Sequence, residues 1–579
     1  MRRVIAPFSS FALVCALALA ASAQVNPPVT PPPGPVNPPG GIVTPVPPPP
    51  PVPPPQPPGI PPAGAAPGTA PTVTPGETQS IPGVPTPVPT AEPTQPPIVI
   101  EPPQIGVEPQ KRASARINSS LGALTVTVAD PTIAAAVVDQ PQRVLYVDGL
   151  KLGSTTVTVT DGRGVSRTVP VLVAYAAGTV ADGAALRITG NPASASYLRD
   201  ALAEAATRAA TMRSGASIRV SSDTIVVHGD LKLDNRTQVD VPVTIDGSGY
   251  FGVTGTTHVT VENVALPPIF PQRLLVSDYP ERLTADGVLF SARLDTKTPQ
   301  RFLYYHFNPA TEPGRRILLK ARNSSNAPAT VQMVAGSAGP GTNEAEVGHL
   351  STKRFLVREA RNEGTILTVA PGATMNLVDH PLPPTNVVSA ILQLRLVSGD
   401  PLDLTLVAQN ANAPLDQDAG TTQLLSGGAP HARGVYPVPT FYFERTYDAD
   451  GADLEIPIGQ LPLPNLREGE ALSGDYGVEQ SMTVIINNMT RGSRNVALYA
   501  NPRGGKATGT FLIDGTLVQA HGLAAFSKYK IWQERINPGT FRRIHVVTMP
   551  EGGSSYPLRL IFAPDDGSVP PFAPGSPIY

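Results

Sequence analysis

The chain has 579 residues, of which 41% are hydrophobic, 15% charged and 5% aromatic. Its 43 Lys and Arg against 45 Asp and Glu give a net charge of −2, which excludes a bulk electrostatic attraction to nucleic acid or to an anionic membrane. The single Cys excludes an internal disulfide framework and a Cys-based zinc site. At about 100–200 residues per domain, there is room for roughly three or four domains.

The first 23 residues have the three-part pattern of a bacterial signal peptide. Arg2 and Arg3 form a basic start, an apolar run follows, and Ala21-Ser22-Ala23 is a small-residue cleavage site. We therefore predict cleavage before Gln24 and an extracytoplasmic chain: periplasmic, wall-bound, surface-exposed or secreted. An uncleaved membrane anchor is the alternative. No later segment is apolar enough to predict a membrane span.

Residues 24–111 are rich in proline, as in the runs 47–51 and 53–55. Proline lacks a backbone donor and has a fixed φ, so neither a helix nor a central strand is expected there. We predict a disordered, semi-rigid spacer with polyproline II character. A proline-rich ligand for an aromatic groove is the alternative.

A change of composition marks the start of the folded part. Over 112–176, apolar residues alternate with threonine, as where Val157 and Val159 lie between Thr156, Thr158 and Thr160. This period of two, with Asp-Pro and Asp-Gly turns between the runs, predicts short strands in a small antiparallel sandwich.

Three segments of this module resemble a known family. They are residues 128–134, 144–149 and 153–159, the last followed by Asp161-Gly162. Together they resemble the N-terminal domain of pilus-assembly secretins and, more loosely, bacterial Ig-like modules of group 2. The resemblance implies an extracytoplasmic β-module, but it does not imply a pore.

Residues 177–267 predict a small α+β domain. Asn191-Pro192 offers a helix cap, apolar residues recur at helical spacing from Leu198 to Met212, and Gly215 closes the run. Strands are expected at 218–220, 225–227, 239–245 and 259–261. Residues 247–252 match a dinucleotide fingerprint by letters, but no helix pattern follows, so we interpret them as a hairpin turn.

After residue 268 the sequence has only β signals. Strand, Asn/Ser-rich turn and strand recur at 317–334 and at 483–499, which indicates two diverged copies of one sandwich, at 268–410 and 411–579. The predicted fold is thus mainly β: several β-sandwich domains, one small α+β domain and a disordered Pro-rich N-terminal arm.

Several segments of this C-terminal half resemble exported bacterial β-sandwich proteins of uncharacterised function, some of which carry a copper-amine-oxidase-like accessory domain. The segments are 275–281, 301–308, Gly339-Pro340, 347–349, 503–505 and 548–557. The resemblance implies no activity and no catalytic residues.

The sequence contains few candidates for metal-binding or catalytic residues. The eight His residues are dispersed, and His306, His349 and His380 are the candidates for a metal site, with a core role favoured for His306 and a turn expected at His349. Asp416 and Asp418, near Gly420, are further candidates for a structural calcium. The Asp-rich run 448–453 has its glycine at the wrong position for a calcium loop, so a turn is expected. We predict no cofactor and no catalytic residues.

The function that these observations favour is a non-catalytic envelope or surface protein that binds other proteins or wall polymer through a string of β-modules. One alternative is an exported enzyme or carbohydrate-binding protein with a site built from loops of the C-terminal sandwiches. In that case Tyr304-Tyr305 or 441–443 could stack on sugars, although core packing is favoured for them. The other alternative is an accessory of pilus or secretion machinery.

Overall fold

The computed structural model describes residues 96–413, 423–570 and 576–577, all of which belong to one compact unit, Ala91–Tyr579. The predicted signal peptide, most of the Pro-rich segment, and Asp416 and Asp418 lie outside the described residues. Strands dominate, so the predicted mainly β fold is confirmed. Among the residues described, neither α-helix is long and apolar enough to cross a bilayer.

The first module is a sandwich of two four-stranded sheets, with strand orders β1-β3-β6-β5 and β2-β8-β7-β4. The predicted alternation is observed: Val157 and Val159 are fully buried, whereas Thr158 and Thr160 bond to Thr168 and Ser166 on the next strand. Its strands are β1 (Val99–Glu101), β2 (Ile105–Val107), β3 (Arg112–Asn118), β4 (Thr125–Val128), β5 (Ala134–Asp139), β6 (Val144–Gly149), β7 (Gly153–Thr160) and β8 (Ser166–Val173).

The end of the predicted Pro-rich spacer belongs to this sandwich, which corrects the spacer boundary at 111. Ile98, Ile100, Ile105 and Val107 are all buried in the core of the module. Apolar residues at every second position supply enough buried surface for two short strands, even between prolines.

The next segment contains the first helix. It forms β9 (Gly178–Thr179), β10 (Gly183–Ile188), α1 (Ala195–Ala209), β11 (Thr211–Met212), β12 (Ala216–Arg219), a 3-10 turn (Ser222–Thr224), β13 (Arg236–Gly247) and β14 (Val253–Asn263). The cap of α1 is Ser194, whose hydroxyl accepts from the backbone N of Tyr197, and not the predicted Asn191. The strand predicted at 225–227 is absent, whereas residues 247–252 form the predicted turn between β13 and β14.

The third segment combines a ten-stranded sheet and a four-stranded sheet. It forms β15 (Arg273–Ser277), β16 (Gly287–Leu294), β17 (Gln300–Phe307), β18 (Arg315–Arg322), β19 (Ala329–Gly341), α2 (Glu344–Ala360), β20 (Thr365–Val369), β21 (Thr374–Leu382), β22 (Val387–Ser398), β23 (Leu402–Asn410) and β24 (Arg433–Tyr436). The sheet orders are β12-β13-β14-β10-β20-β19-β22-β17-β15-β24 and β16-β23-β18-β21. The larger sheet therefore runs through both predicted domains, 177–267 and 268–410.

Helix α2 contradicts the expectation that only strands follow residue 268. It places His349 in a buried helical turn rather than in the predicted loop turn. The physical reason is that α2 is covered on two sides, so its sequence lacks the one-sided apolar stripe by which an amphipathic helix is predicted.

The last segment is a second sandwich, with sheet orders β25-β27-β32-β29-β30-β34 and β26-β33-β28-β31. It forms β25 (Thr440–Asp448), β26 (Leu454–Ile458), β27 (Glu479–Asn488), β28 (Arg494–Pro502), β29 (Ala507–Ile513), β30 (Thr516–Leu523), β31 (Tyr529–Ile536), β32 (Thr540–Thr548), β33 (Leu558–Pro564) and β34 (Ser576–Pro577). Its core contains Phe511, Phe562 and Ile544.

The two C-terminal sandwiches have the same strand order. The runs β20-β19-β22-β17-β15 and β16-β23-β18-β21 correspond strand by strand to β30-β29-β32-β27-β25 and β26-β33-β28-β31, and the parallel pair β15/β17 corresponds to the parallel pair β25/β27. The sheet edges differ, because β15 and β20 also pair with β24 and β10, whereas β30 pairs with β34. The chief difference is α2, which takes the place of the tight turn between β29 and β30. The shared order supports the predicted duplication.

The duplication, however, has a different register from the one that the Asn/Ser-rich turns suggest. Asn488 ends β27, and its side-chain amide donates to the carbonyl of Ile536 at the end of β31 (2.9 Å). Asn308 follows β17, and its amide donates in the same way to Leu382 at the end of β21 (3.0 Å). Asn323, in the turn used for the sequence comparison, lies one strand further along.

Replacing Asn488 by Ala should destabilise the chain by about 2 kcal/mol, because buried carbonyl and hydroxyl groups lose their partners. The Asn488 amide also bonds to the Gly492 carbonyl (2.8 Å), and its oxygen accepts from the hydroxyl of Thr490 (2.6 Å). Thermal and urea unfolding measure the change. Met489→Ala is the control, since Met489 is 76% exposed; equal loss in both variants would contradict the assignment.

Candidate functional site

The junction between the two C-terminal sandwiches is built around α2. One side of the helix packs on β19 and β22 of the first sandwich, and another side packs on β29 of the second. Glycines allow both approaches: a Cβ on Gly336 would overlap the backbone of Ser351 and Phe355, and one on Gly348 would overlap the carbonyl of Gly552. The helix backbone is thus in direct contact with both sandwiches.

The N-terminus of α2 is stabilised locally. The side-chain oxygen of Asn343 accepts from the backbone N of Glu346 (3.3 Å), which caps the helix. Glu344 and Glu346 lie in the first turn, where their negative charges interact favourably with the helix dipole. This arrangement fixes the helical turn that carries His349.

His349 and Glu551 form a fully buried pair across the junction. The His349 Nδ1 lies 3.0 Å from Glu551 Oε2, and its Nε2 lies 3.3 Å from the side-chain oxygen of Gln519 on β30. The hydroxyls of Thr508 and Thr510 on β29 also donate to the two carboxylate oxygens. Glu551 therefore has donors from both sandwiches, which compensates for its removal from water.

The electrostatics of this pair favour a charged imidazole. Burial works to lower the pKa of His349, but the hydrogen bond and negative charge of Glu551 outweigh burial and raise it. His521 packs edge-on against His349 with ring centroids 4.2 Å apart. Burial and the charge of His349 lower the pKa of His521. Of the two rings, His349 is therefore the one whose surroundings favour the protonated form.

A second buried network surrounds Arg301 on β17, whose side chain is fully buried. Its Nη2 donates to Glu479 Oε2 on β27 (2.8 Å) and, with Nε, to the side-chain oxygen of Gln393 on β22. Its guanidinium also lies over the ring of Phe355 on α2, 5.2 Å from the centroid. Arg301 thus connects the first sandwich, the helix and the second sandwich.

Glu359 completes this network near the end of α2. Its Oε1 lies 3.9 Å from Arg301 Nη2. Burial and the neighbouring charge of Glu479 raise the pKa of Glu359, although Arg301 opposes this shift. One arginine thus faces two carboxylates, and a proton on Glu359 relieves the repulsion between them.

The three candidate metal ligands do not converge. His306 contacts the Ser277 hydroxyl (3.2 Å) and the Pro280 carbonyl (3.0 Å), and His380 contacts the Tyr304 hydroxyl (3.1 Å), whereas His349 faces Glu551. Across the part of the chain that the structure describes, no group of three or more His, Cys, Asp or Glu side chains could hold a metal ion.

His306 and His380 are core histidines, as favoured for His306. Burial lowers the pKa of each to about 4, so both rings are neutral near pH 7. The aromatic pair Tyr304-Tyr305 is buried with them, whereas Tyr442 is 70% exposed. Of the aromatic residues considered for sugar stacking, Tyr442 is therefore the most accessible.

A cleft of about 770 Å³ lies between the segment that contains α1 and the end of α2, and it is lined by residues 190–192, Leu233, the connecting segment 264–268 and residues 360–362. Arg361, which lines this cleft, forms ion pairs with Asp230 Oδ2 (3.5 Å) and Glu363 Oε1 (3.0 Å). Sequence reasoning did not predict this cleft.

The acidic and cationic groups of the junction were also missed, apart from His349. Arg301 and Glu551 do lie in segments 301–308 and 548–557, which carry the resemblance to exported proteins. An arginine within an otherwise apolar run was the one available signal, because an arginine is rarely fully buried unless it is paired. No sequence pattern connects Glu551 to His349, which is 202 residues away.

In comparisons with known proteins, one family model matches a part of the chain. Residues 110–174 match the model of the pilus formation protein N terminal region, which confirms the resemblance predicted for the first module. No curated protein matches the chain. The resemblance of the C-terminal half to exported proteins stays a prediction.

Among solved structures, the chain is similar to the S-layer protein SbsC, domains 4 and 5 (22% identity, 14% of this chain, 54% of that chain, TM-score 0.12). It is also similar to domains 5–6 of SbsC (16% identity, 29% of this chain, 98% of that chain, TM-score 0.14). A further match is to the fibronectin(III)-like modules of Clostridium thermocellum CbhA (12% identity, 30% of this chain, 98% of that chain, TM-score 0.14). The chain spans about half the length of the first of these. Because these TM-scores are low, the matches support no conclusion about the function of this chain.

Replacing Gly348 by Ala should destabilise the chain by about 2 kcal/mol, because the added methyl group would overlap the Gly552 carbonyl and push the second sandwich away. In an ordinary helix the same change stabilises by about 1 kcal/mol, so the sign is diagnostic. Unfolding of Gly492→Ala, where a Cβ meets nothing, is the control. A stabilised Gly348→Ala variant would contradict the packing.

Glu359 should make stability fall as the pH rises above the ordinary carboxyl pKa of about 4.3. Its raised pKa means that the folded chain keeps a proton that the unfolded chain releases, so the stabilisation is complete at low pH and is lost as the pH approaches the folded pKa. Glu359→Gln should reduce this slope by up to about 1.4 kcal/mol per pH unit. Urea unfolding from pH 5 to 8 measures it. The exposed Glu468→Gln is the control, and an unchanged slope in Glu359→Gln would refute the assignment.

Proposed function

We propose that this chain is a non-catalytic structural protein of the bacterial envelope or surface, in which rigid β-modules form a scaffold for protein or wall-polymer contacts. The match of residues 110–174 to a pilus formation domain supports an extracytoplasmic role. The sandwich architecture supports a role in spacing and contact, since sheets offer broad faces and edges for binding.

The observation that carries this proposal is the double packing of α2. Because Arg301, Glu479, His349 and Glu551 are buried and bonded across the junction, separating the sandwiches would strand charges in apolar surroundings. The buried arginine, histidine and glutamate side chains are thus paired with one another across the interface between the two sandwiches. We therefore expect the two sandwiches to move as one body rather than as a hinged pair.

The remaining parts of the chain fit the same role. The signal-peptide pattern of residues 1–23 would direct export. The Pro-rich composition that follows suits a spacer that holds the folded part away from its point of attachment. The first module, the segment that contains α1 and the two C-terminal sandwiches would then form the scaffold. No cofactor is part of this proposal.

A second candidate is an accessory of pilus or secretion machinery, favoured by the same family match. In that case the first module would contact a component of the assembly, and the C-terminal sandwiches would set its distance. The two candidates differ in whether a specific machine is the partner.

Fractionation of cells that express the tagged full chain tests the first proposal. We expect retention in the wall or envelope fraction, and the same chain without residues 1–23 should stay in the cytoplasm as the control. Free release into the medium, or turnover of a substrate by the purified chain, would contradict a scaffold.

Affinity capture after chemical crosslinking tests the second candidate. A pilus or secretion component that is recovered with the tagged chain, and is absent from an untagged control strain, would support it. Recovery of wall fragments or unrelated proteins alone would refute the accessory role and leave the scaffold proposal standing.

A further inference from the structure

Within the part of the chain that the structure describes, the second sandwich has a sheet face on β25, β27 and β32 whose outward side chains are exposed or half-buried. We call this face the open face. Its residues point away from the core because they alternate with the core residues Met482, Val484 and Ile544. The open face consists of Tyr442, Glu444, Thr446 and Asp448 on β25; Ser481, Thr483, Ile485 and Asn487 on β27; and Phe541, Arg543 and His545 on β32.

The equivalent face of the first sandwich is covered. There, Leu274 on β15, Leu303 on β17 and Ile391 on β22 are buried with Phe355 of α2. On the open face, by contrast, Tyr442 and Phe541 are 70% and 71% exposed. Tyr442 lies beside Ser481 and Phe541 lies beside Asn487, so the two exposed rings are at diagonally opposite corners of the open face.

The charges of the open face are sorted by strand. The acidic residues Glu444 and Asp448 lie on β25, the basic residues Arg543 and His545 lie on β32, and the open-face residues of β27 between them are uncharged. The face is continuous with the α2 junction through Val547 on β32, which packs in that interface. An acidic edge and a basic edge on either side of a neutral centre make the face complementary to itself.

We propose that the open face binds the open face of a second copy of this chain, about a twofold axis that runs along β27. This axis places β25 of each copy over β32 of the other. Glu444 of one copy then lies opposite His545 of the other. Along the strand direction, Arg543 of one copy lies between Glu444 and Asp448 of the other. Ile485 meets its own counterpart near the axis. The contact is isologous and closes as a dimer.

The other in-plane twofold axis is electrostatically unfavourable. An axis perpendicular to the strands would place β32 over β32, with Arg543 against His545, and β25 over β25, with acidic residues together. Within one chain, Glu444 and Arg543 form an exposed ion pair at 2.8 Å. Such a surface pair contributes at most about 1 kcal/mol, so exchanging it between copies costs little.

The size of the open face predicts a weak dimer. Nine residues of β25 pair with β27, and three strands of this length cover about 400 Å² per copy. The total of about 800 Å² is below the roughly 1,200 Å² of standard stable interfaces. We therefore expect a reversible, concentration-dependent dimer rather than a permanent one.

Sedimentation velocity of the chain from Gln24 to Tyr579 tests the proposal over a wide concentration range. We expect a monomer–dimer equilibrium. Glu444→Lys would place a cation against Arg543 and His545 of the other copy, and Arg543→Glu would place an anion against Glu444 and Asp448. Each variant alone should therefore dimerise about tenfold or more weakly, because like charges now meet. Arg535→Glu, a charge change on β31 of the opposite sheet, should leave the equilibrium unchanged.

Mixing the two variants is the decisive measurement. A Glu444→Lys chain and an Arg543→Glu chain have complementary faces, so the mixture should form heterodimers although neither variant dimerises well alone. Circular dichroism checks that both variants are folded. A wild-type chain that stays monomeric, or a mixture that fails to associate, would overturn the proposal, and so would a monomer that binds wall polymer through Tyr442 and Phe541.

Discussion

The packing of one helix against two sheet faces is the constraint on which the C-terminal half depends. Phe355 and Leu356 of helix α2 are buried in an apolar cluster that contains residues of both sandwiches. The same helix places His349 against Glu551 at its start and Glu359 near Arg301 at its end. Because a buried charge without its partner costs several kcal/mol, the two ends of α2 fix the relative position of the two sandwiches.

Duplication gives this junction its asymmetry. The two sandwiches share one strand order, but only the first has a helix between the strands that correspond to β29 and β30. One long insertion in one copy therefore covers the outer sheet face of that copy and part of the other. The rest of the second face has kept polar and charged residues, as expected for a surface in contact with water.

The sequence was informative where local physics decides the structure. Alternation predicted the strands around Val157 and Val159, and the glycines of 247–252 marked a turn. Helix α2 could not be found, because Gly348, His349 and two hydroxyl residues interrupt any apolar stripe in a helix that is buried on two sides. The partners of Arg301 and His349 could not be found either, since they lie 178 and 202 residues away.

The buried charges of the junction have more to do with specificity than with stability. Apolar side chains of similar volume often replace a buried ion pair without loss of stability. A chain with two sandwiches of equal strand order, however, has two similar faces on which α2 could pack. Arg301 on β17 makes only one of them correct, because β27 of the open face has no arginine that could pair with Glu359 of the helix. Incorrect docking would separate Glu359 from Arg301, so the polar network selects one arrangement of two related modules.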